Sequence, residues 1–499
     1  MVLQRDAESK LFGYSAAAGA KISVSFSIFS EAFSVVATSS LEQAADGGFR
    51  WVAVLPPMPG ALTEYTVNIT SSAGENAVLN NVVFGDVYVC SGQSNMQFSV
   101  PGDFDAEAEI GSAEDYPFLR VLSVGQDYTL PQVTEPLDDL YFLDMPWSVG
   151  SSASVDGGSW GYRYSAICWF FGKNIFDSSL QRSIPVGLVS DNWGGTIIEA
   201  WSPPSVIEKC GGSTGEVDVH RVDFDPNPHT AEDFDPNAYS ILYNTMVYPI
   251  RDMAVKGVLW YQGESNVMGG AATYPCLQDA MVQAWRTLVG SDFSFLYVQL
   301  STWDNGGNGA LASFRSEQTK ILSITENVAM ITAADLGDPE SPYDPIHPRN
   351  KTEVGRRLAL AARSLVYGEQ DIPFLGPILE SISSFEDDTY GWSVRLSFEE
   401  TSCGTGIHLE AAQECPASSA EAPGGCGEVI LEYPGVRPST VIQVRAVVVV
   451  SGEYSVELFP VERMARKPIN VYYCLGDYPL LIIYNSIGVP TLPFTATVP

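Results

Sequence analysis

A side chain that attacks an acyl carbon needs three things around it: a base to take its proton, a group to hold that base, and hydrogen-bond donors for the oxyanion. Candidates for each role stand at turn-forming positions in this sequence. The run Val87-Tyr88-Val89-Cys90-Ser91-Gly92-Gln93-Ser94-Asn95-Met96-Gln97 carries an apolar stretch into a tight glycine turn. Ser94 is thereby placed at the mouth of a strand, with backbone N–H groups after it that face a ligand. The motif is not the Gly-x-Ser-x-Gly elbow, and taken alone such a serine also reads as a cap or turn residue.

Histidine is the base suited to neutral pH, and the chain has four. His220 and His229 sit in an acidic loop, and His408 lies among the C-terminal cysteines. His347 stands in Asp344-Pro345-Ile346-His347-Pro348-Arg349-Asn350-Lys351, directly before a helical stretch. The spacing lets the Asp344 carboxylate reach the ring nitrogen turned away from a substrate, while Pro348 fits the first position of the helix. The plainer reading is that Asp344 caps a turn and His347 caps a helix. Two further stretches offer oxyanion donors: Asp191-Asn192-Trp193-Gly194-Gly195-Thr196, through the N–H of Gly194 or Gly195, and Gln262-Gly263-Glu264-Ser265-Asn266, through amide side chains. Their plain readings are a βα turn and a polar loop.

The elements that must position these groups follow from periodicity. Up to residue 81, segments such as Lys21–Ile28, Trp51–Leu55 and Tyr65–Ile69 alternate with period two, which predicts a small β-sandwich or barrel-like module. From residue 82 to 369, continuous apolar runs at Val82–Cys90, Ile184–Ser190, Gly257–Tyr261, Phe295–Leu300 and Val328–Ala333 alternate with helical patterns at 165–177, 239–250, 274–288, 312–324 and 353–366. That predicts an α/β layer with a mostly parallel sheet, and such sheets bind ligands beyond the C-terminal strand ends. Residues 100–162 and 205–240 interrupt the pattern. The second stretch carries a duplication, Asp223-Phe224-Asp225-Pro226-Asn227 and Asp233-Phe234-Asp235-Pro236-Asn237, whose spacing is not that of an EF-hand and reads as a solvated acidic loop. Residues 370–499 read as a further all-β domain, with Val441–Val450 as a buried strand.

Composition bounds the partners. With 499 residues, 26 Lys+Arg against 60 Asp+Glu, and a net charge of −34, the chain repels phosphate backbones and anionic lipid surfaces, so nucleic acid is not an expected partner. No apolar run is long enough to span a bilayer. The first six residues lack the pattern of a signal peptide, and an edge or leader before them is expected to be missing. Eight cysteines and the acceptor sequons Asn68-Ile69-Thr70 and Asn350-Lys351-Thr352 point to an oxidising, secretory-type compartment. Cys403, Cys415, Cys426 and Cys474 are expected to form disulfides, while Cys90, Cys168, Cys210 and Cys276 read as free buried thiols. A zinc site is disfavoured by the absence of CxxC or a nearby histidine pair.

Taken together, the motifs resemble the SGNH hydrolases, and within them the sialate O-acetylesterase family. That family's ordered blocks match Gly92-Gln93-Ser94-Asn95-Met96, Trp193-Gly194-Gly195-Thr196, Gln262-Gly263-Glu264-Ser265-Asn266, and Asp344 with His347; the likeness extends to Glu199-Ala200-Trp201-Ser202. The resemblance implies an SGNH-type three-layer α/β domain flanked by N-terminal and C-terminal all-β domains. It also implies a serine esterase, secreted or lysosomal, that releases acetate from 9-O-acetylated sialic acids through an acetyl-enzyme without metal or organic cofactor. Ser94, Asp344 and His347 form its catalytic set. Ser94, Gly194 and Gly195 supply backbone oxyanion donors, with Gln262 placed ahead of Asn266 as the side-chain donor. Arg349, in a basic run with Lys351, Arg356, Arg357 and Arg363, faces a sugar carboxylate or lies on an outer helix face. Trp201 and Trp160 stack on the sugar or pack in the core, and Glu264 is a further sugar contact. The alternatives are an esterase for neutral acetylated polysaccharides such as acetylxylan, and an inactive carbohydrate-binding paralogue.

Overall fold

The computed structural model of the chain describes residues 1–27, 32–43, 47–126, 133–156, 164–211, 234–303, 309–411, 415, 426–435, 437 and 440–499. They divide into two compact units, Met1–Ser265 with Cys276–Phe295, and Asn266–Pro275 with Leu296–Pro499.

After a first strand, Val2–Gln4, that pairs parallel to Asn76–Gly92, the first unit continues with antiparallel strands. Lys21–Ser27 pairs on one side with Ala32–Thr38 and on the other with Ala61–Ser71, and Ser9–Ser15 pairs with Phe49–Leu55. The period of two does its physical work here: Ile22, Val24 and Phe26 point inward and are buried with Ala53, Leu55, Val67 and Phe84. Strand β1 (Asn76–Gly92) pairs first with Ala61–Ser71, and at Val82 its exposed and half-buried pattern becomes fully buried. One unbroken strand thus crosses the position where the sequence texture changes.

Beyond that position come helix α1 (Ser94–Gln97), strand β2 (Leu119–Val124), strand β3 (Leu143–Val149), helix α2 (Ala166–Asp177), strand β4 (Val186–Asn192) and strand β5 (Gly257–Tyr261). Strand β1 runs parallel between β4 and β5, β2 runs parallel to β4, and β3 closes the edge antiparallel to β2. The sheet is therefore mixed. Strands β2 and β3 lie in the stretch read as aperiodic: β3, an edge strand with one wet face, does not present a continuous apolar run, and in β2 the buried Arg120 and Ser123 interrupt one. The region predicted helical at 239–250 becomes a π-helical turn, Tyr243–Val247, and a 3-10 turn, Tyr248–Ile250, where Pro249 withholds a backbone donor.

Strand β6 (Ser294–Gln299), most of which falls in the second unit, neighbours strand β7 (Val328–Thr332), and helices α3 (Ala310–Lys320) and α4 (Lys351–Leu365) follow in that unit. Residues 379–497 supply an antiparallel sheet in the order Leu379–Asp387, Gly391–Phe398, Ser455–Pro460, Val441–Gly452, Val429–Pro434, Asn470–Tyr473 and Phe494–Thr497. Its inner face buries Leu396, Leu431, Val456, Leu458 and Val471. The run Val441–Val450, expected to be buried, is largely exposed, with Val447 51% accessible. Unbroken valine satisfies β propensity on either face, so composition does not reveal which face is wet.

Candidate active site

Glycine allows the turn that presents Ser94. Gly92 has φ +136°, and a Cβ there would lie 2.1 Å from the Tyr261 carbonyl oxygen, so β1 and β5 meet where only glycine fits. The Gln93 N–H then donates to that same oxygen at 3.0 Å. Helix α1 begins at Ser94, which is 6% exposed. Around it the first block is tied to the third: the Gln93 Oε1 accepts the N–H of Gly263 at 3.1 Å, that of Ser265 at 3.3 Å, and Gln262 Nε2 at 3.2 Å. The Glu264 carboxylate, expected against the sugar, is buried and accepts Asn95 Nδ2 at 2.7 Å. None of these ties is visible in the motifs themselves.

The glycine block docks on the same place. Trp193 N–H donates to the Gly92 oxygen at 3.0 Å, extending the β1–β4 pairing by one bond. Gly194 N–H is taken by Gln97 Oε1 at 2.7 Å, and Gln262 Nε2 gives its two hydrogens to the Thr196 oxygen at 2.9 Å and to Gln93. Two of the expected oxyanion donors are thus spent inside the protein. Gly195, with φ +73°, keeps an N–H that makes no hydrogen bond among the described residues, while its carbonyl accepts Asn237 Nδ2 at 3.1 Å. Asn237 also accepts Ile197 N–H at 2.9 Å, and Phe234 packs on Trp193. The described part of the second acidic copy, residues 234–237, therefore braces the glycine block through Phe234 and Asn237, while Asp235 is exposed as a solvated loop requires. The first copy, with His220 and His229, lies outside the described residues, as does Trp160.

Trp201 is fully buried, with Nε1 donating to Thr196 Oγ1 at 3.0 Å and its ring edge-on to Trp260. It packs the core and does not face a sugar. Beneath the same strand ends lies a polar pair with no bonds to satisfy it. Asp191 and Ser91 are register partners on β4 and β1, both fully buried, and among the described residues neither the Asp191 carboxylate nor the Ser91 hydroxyl has a hydrogen-bond partner. Burial pushes the Asp191 carboxyl up to about 7.

In the second unit, His347 is buried at 5% exposure. Its Nδ1 lies 2.7 Å from the Tyr343 carbonyl oxygen. A carbonyl only accepts, so Nδ1 carries the hydrogen and Nε2 is left as the basic atom. Asp344 adopts φ +78°; its carboxylate accepts Ile346 N–H at 3.2 Å and its carbonyl accepts His347 N–H at 2.8 Å. The carboxylate–imidazole bond predicted from the spacing is replaced by the Tyr343 carbonyl, because the left-handed backbone at Asp344 turns its side chain onto the main chain. Burial lowers the His347 ring to about 4; the Tyr343 bond and the Asp344 charge oppose that shift, and the Lys351 charge adds to it. Helix α4 starts at Lys351 rather than Pro348, capped by Asn350, whose side chain accepts Glu353 N–H. Asn266 is buried, its carbonyl accepting Gly270 N–H at 2.8 Å.

The basic run beginning at Arg349 is paired from end to end. Arg349 forms a two-pronged bond to Asp338 at 2.6 and 3.0 Å, Arg356 meets Glu353 at 2.6 Å, Arg357 meets Asp335 at 2.7 Å, and Arg363 meets Glu369 at 2.8 Å. Lys351 is fully buried and bonds the Pro348 carbonyl. These cations complete local structure. His408 lies exposed on a short strand beside Glu410.

The cysteines reverse the expected assignment except at Cys415 and Cys426. Cys90 bonds Cys168, fastening the strand that leads to Ser94 onto α2, and Cys210 bonds Cys276. Cys415 bonds Cys426, while Cys403 and Cys474 are free and buried. Sequence clustering was a poor guide because the packing of helices and strands brings residues 78 and 66 positions apart within bonding range. Of the sequons, Asn68 is exposed on a strand, whereas Asn350 is engaged as a helix cap. Among the described residues no helix is long and apolar enough to cross a membrane.

The profile of the family described as "Carbohydrate esterase, sialic acid-specific acetylesterase" matches residues 84–364. Sialate O-acetylesterase of Mus musculus is 33% identical over 453 residues, covering 82% of this chain and 82% of its own length. The Homo sapiens enzyme of that name is 36% identical over 350 residues, covering 66% of this chain and 63% of its own. A carbohydrate acetylesterase from Xanthomonas citri has a crystal structure similar to this one at TM-score 0.73 and 26% identity, covering 99% of this chain and 97% of that one. A profile match over more than half of the chain, with these relatives, places this protein in the sialate O-acetylesterase family of carbohydrate esterases.

Proposed function

We propose that this carboxylic ester hydrolase removes O-acetyl groups from sialic acids, of the 9-O-acetyl type, by acyl transfer through Ser94. His347 Nε2 takes the hydroxyl proton as the Ser94 oxygen attacks the acetyl carbonyl. The Tyr343 carbonyl holds the imidazole, and the Asp344 charge favours the imidazolium that forms. The oxyanion is received by the N–H of Ser94 and of Gly195 and by the Asn266 amide, each donor being worth about 3 kcal/mol in comparable hydrolases. Collapse expels the sugar oxygen, which takes the proton from His347, and water then cleaves the acetyl-enzyme to release acetate. The reading extends to an SGNH-type three-layer core over residues 82–369 between β domains at 1–81 and 370–499. Three disulfides support a secreted or lysosomal setting.

One observation carries the assignment: the Gly195 N–H, unengaged among the described residues, on a loop whose neighbour Gly194 abuts Ser94, at the C-terminal mouth of parallel strands. Ser94→Ala is expected to lower kcat on 9-O-acetylated sialic acid by at least about 10⁴-fold with the fold intact, while Ser91→Ala retains activity. Turnover by Ser94→Ala within tenfold of wild type would sink the assignment. A second reading, hydrolysis of neutral acetylated polysaccharides, is favoured by the internal pairing of Arg349. It requires faster turnover of acetylated xylan than of acetylated sialic acid.

A further inference from the structure

We infer that Gln97 is a positioning residue for the oxyanion hole: its side-chain oxygen occupies the Gly194 N–H and so makes Gly195 the donor of that loop, aimed at the carbonyl Ser94 attacks. The inference rests on the proposed roles of Ser94 and Gly195. Gln97 is the last residue of the helix that Ser94 opens and is 8% exposed. Its Oε1 accepts Gly194 N–H at 2.7 Å; its Nε2 donates to Gln126 Oε1 at 3.1 Å; and Gln126 Nε2 donates to the Asn192 carbonyl at 2.7 Å. The loop is therefore gripped at two points, the Asn192 carbonyl and the Gly194 N–H, by one chain of amides rooted in the nucleophile's own helix.

Close packing makes that grip a matter of aim. A Cβ built on Gly194 would lie 2.7 Å from Gln97 Oε1 and 3.4 Å from Ser94 Cβ, so the loop backbone already rests on the nucleophile. A displacement of about 1 Å at such a place costs on the order of 10²-fold in rate. An amide suits the position because it accepts the Gly194 bond without placing a negative charge beside a developing oxyanion, which a carboxylate would do.

The test is Gln97→Met, which preserves length and removes the acceptor, compared with wild type and Ser94→Ala. Three quantities are measured: kcat and KM on p-nitrophenyl acetate, the thermal midpoint, and inhibition by methylboronic acid. The boron of that inhibitor adds the Ser94 oxygen as its proton leaves for His347, giving a tetrahedral anion that occupies the oxyanion hole. The expected result is kcat reduced about 10²-fold and boronate affinity reduced by a similar factor, with KM within about threefold and the midpoint little changed. Both kcat and boronate affinity within threefold of wild type, with Ser94→Ala inactive, would overturn this inference alone. Activity surviving in Ser94→Ala would overturn the underlying site as well. If Gln97→Met does not fold, Gln126→Met leaves the Gly194 bond in place and frees the Asn192 carbonyl. It is expected to lower both quantities about tenfold at unchanged KM, and no change in either overturns the inference.

Discussion

Ser94 is held by partners from far along the chain, whereas His347 is held by its own turn. Gln93, Asn95 and Gln97 reach Gly263, Glu264 and Gly194, across separations such as 170 residues between Gln93 and Gly263. His347 draws on Tyr343 for its ring and on Ser341 for its carbonyl, four and six residues away. The geometry around the proposed nucleophile therefore depends on the assembled strand ends, while the proposed base carries its orientation in a short segment. The two regions should fail differently when perturbed.

The sharpest break is His347→Ala, expected to reduce kcat by about 10⁴-fold or more, as loss of the general base does in serine hydrolases. With the ring lowered to about 4, the wild-type kcat/KM should rise with pH through about 4 and then level toward neutrality. A limb near 6.5 would show that the ring is not buried as described. Next comes Asp191→Asn, which probes the strand-end side. The raised Asp191 carboxyl means the folded state binds a proton that the unfolded state has released between its ordinary range and about 7. Its linkage term therefore makes stability fall as pH rises through that window. The buried His347 acts with opposite sign from about 4 to 6.5, because there the unfolded state binds the extra proton. Replacing Asp191 by neutral Asn should accordingly stabilise the protein by about 2 kcal/mol at pH 8 and little at pH 5, read by urea unfolding.

A smaller effect tests the local turn. Asp344→Asn is expected to cost less than about tenfold in kcat, since Tyr343 keeps the tautomer; a carboxylate that oriented the ring would cost about 10⁴-fold. Smallest of all, Arg349→Gln should change KM for acetylated sialic acid less than about threefold, because the guanidinium is held by Asp338. A larger rise would return Arg349 to the substrate.

The contrast also explains what was legible. The strands ending at Gly92, Asn192 and Tyr261, and the helices following residues 165, 274 and 350, were readable to within a few residues because periodicity is a local property. The roles of Gln97, Gln126 and Asn237 were not, since an amide in a sequence shows only that it donates and accepts, and its partner is chosen by the sheet. The same limit applied to Cys90 and Cys168, to the buried Trp201, and to the valines of the exposed strand face.

The order of the serine, glycine, glutamine and histidine blocks, together with the alternation of apolar runs, was enough by itself to determine the family and the chemistry the chain is built to attempt. Tertiary structure decided which donors remain open, which cations are already neutralised, and what holds the imidazole. Each of those outcomes depends on a hydrogen bond between atoms whose proximity only packing creates, and a buried polar group that finds a partner in the fold is no longer available to a substrate.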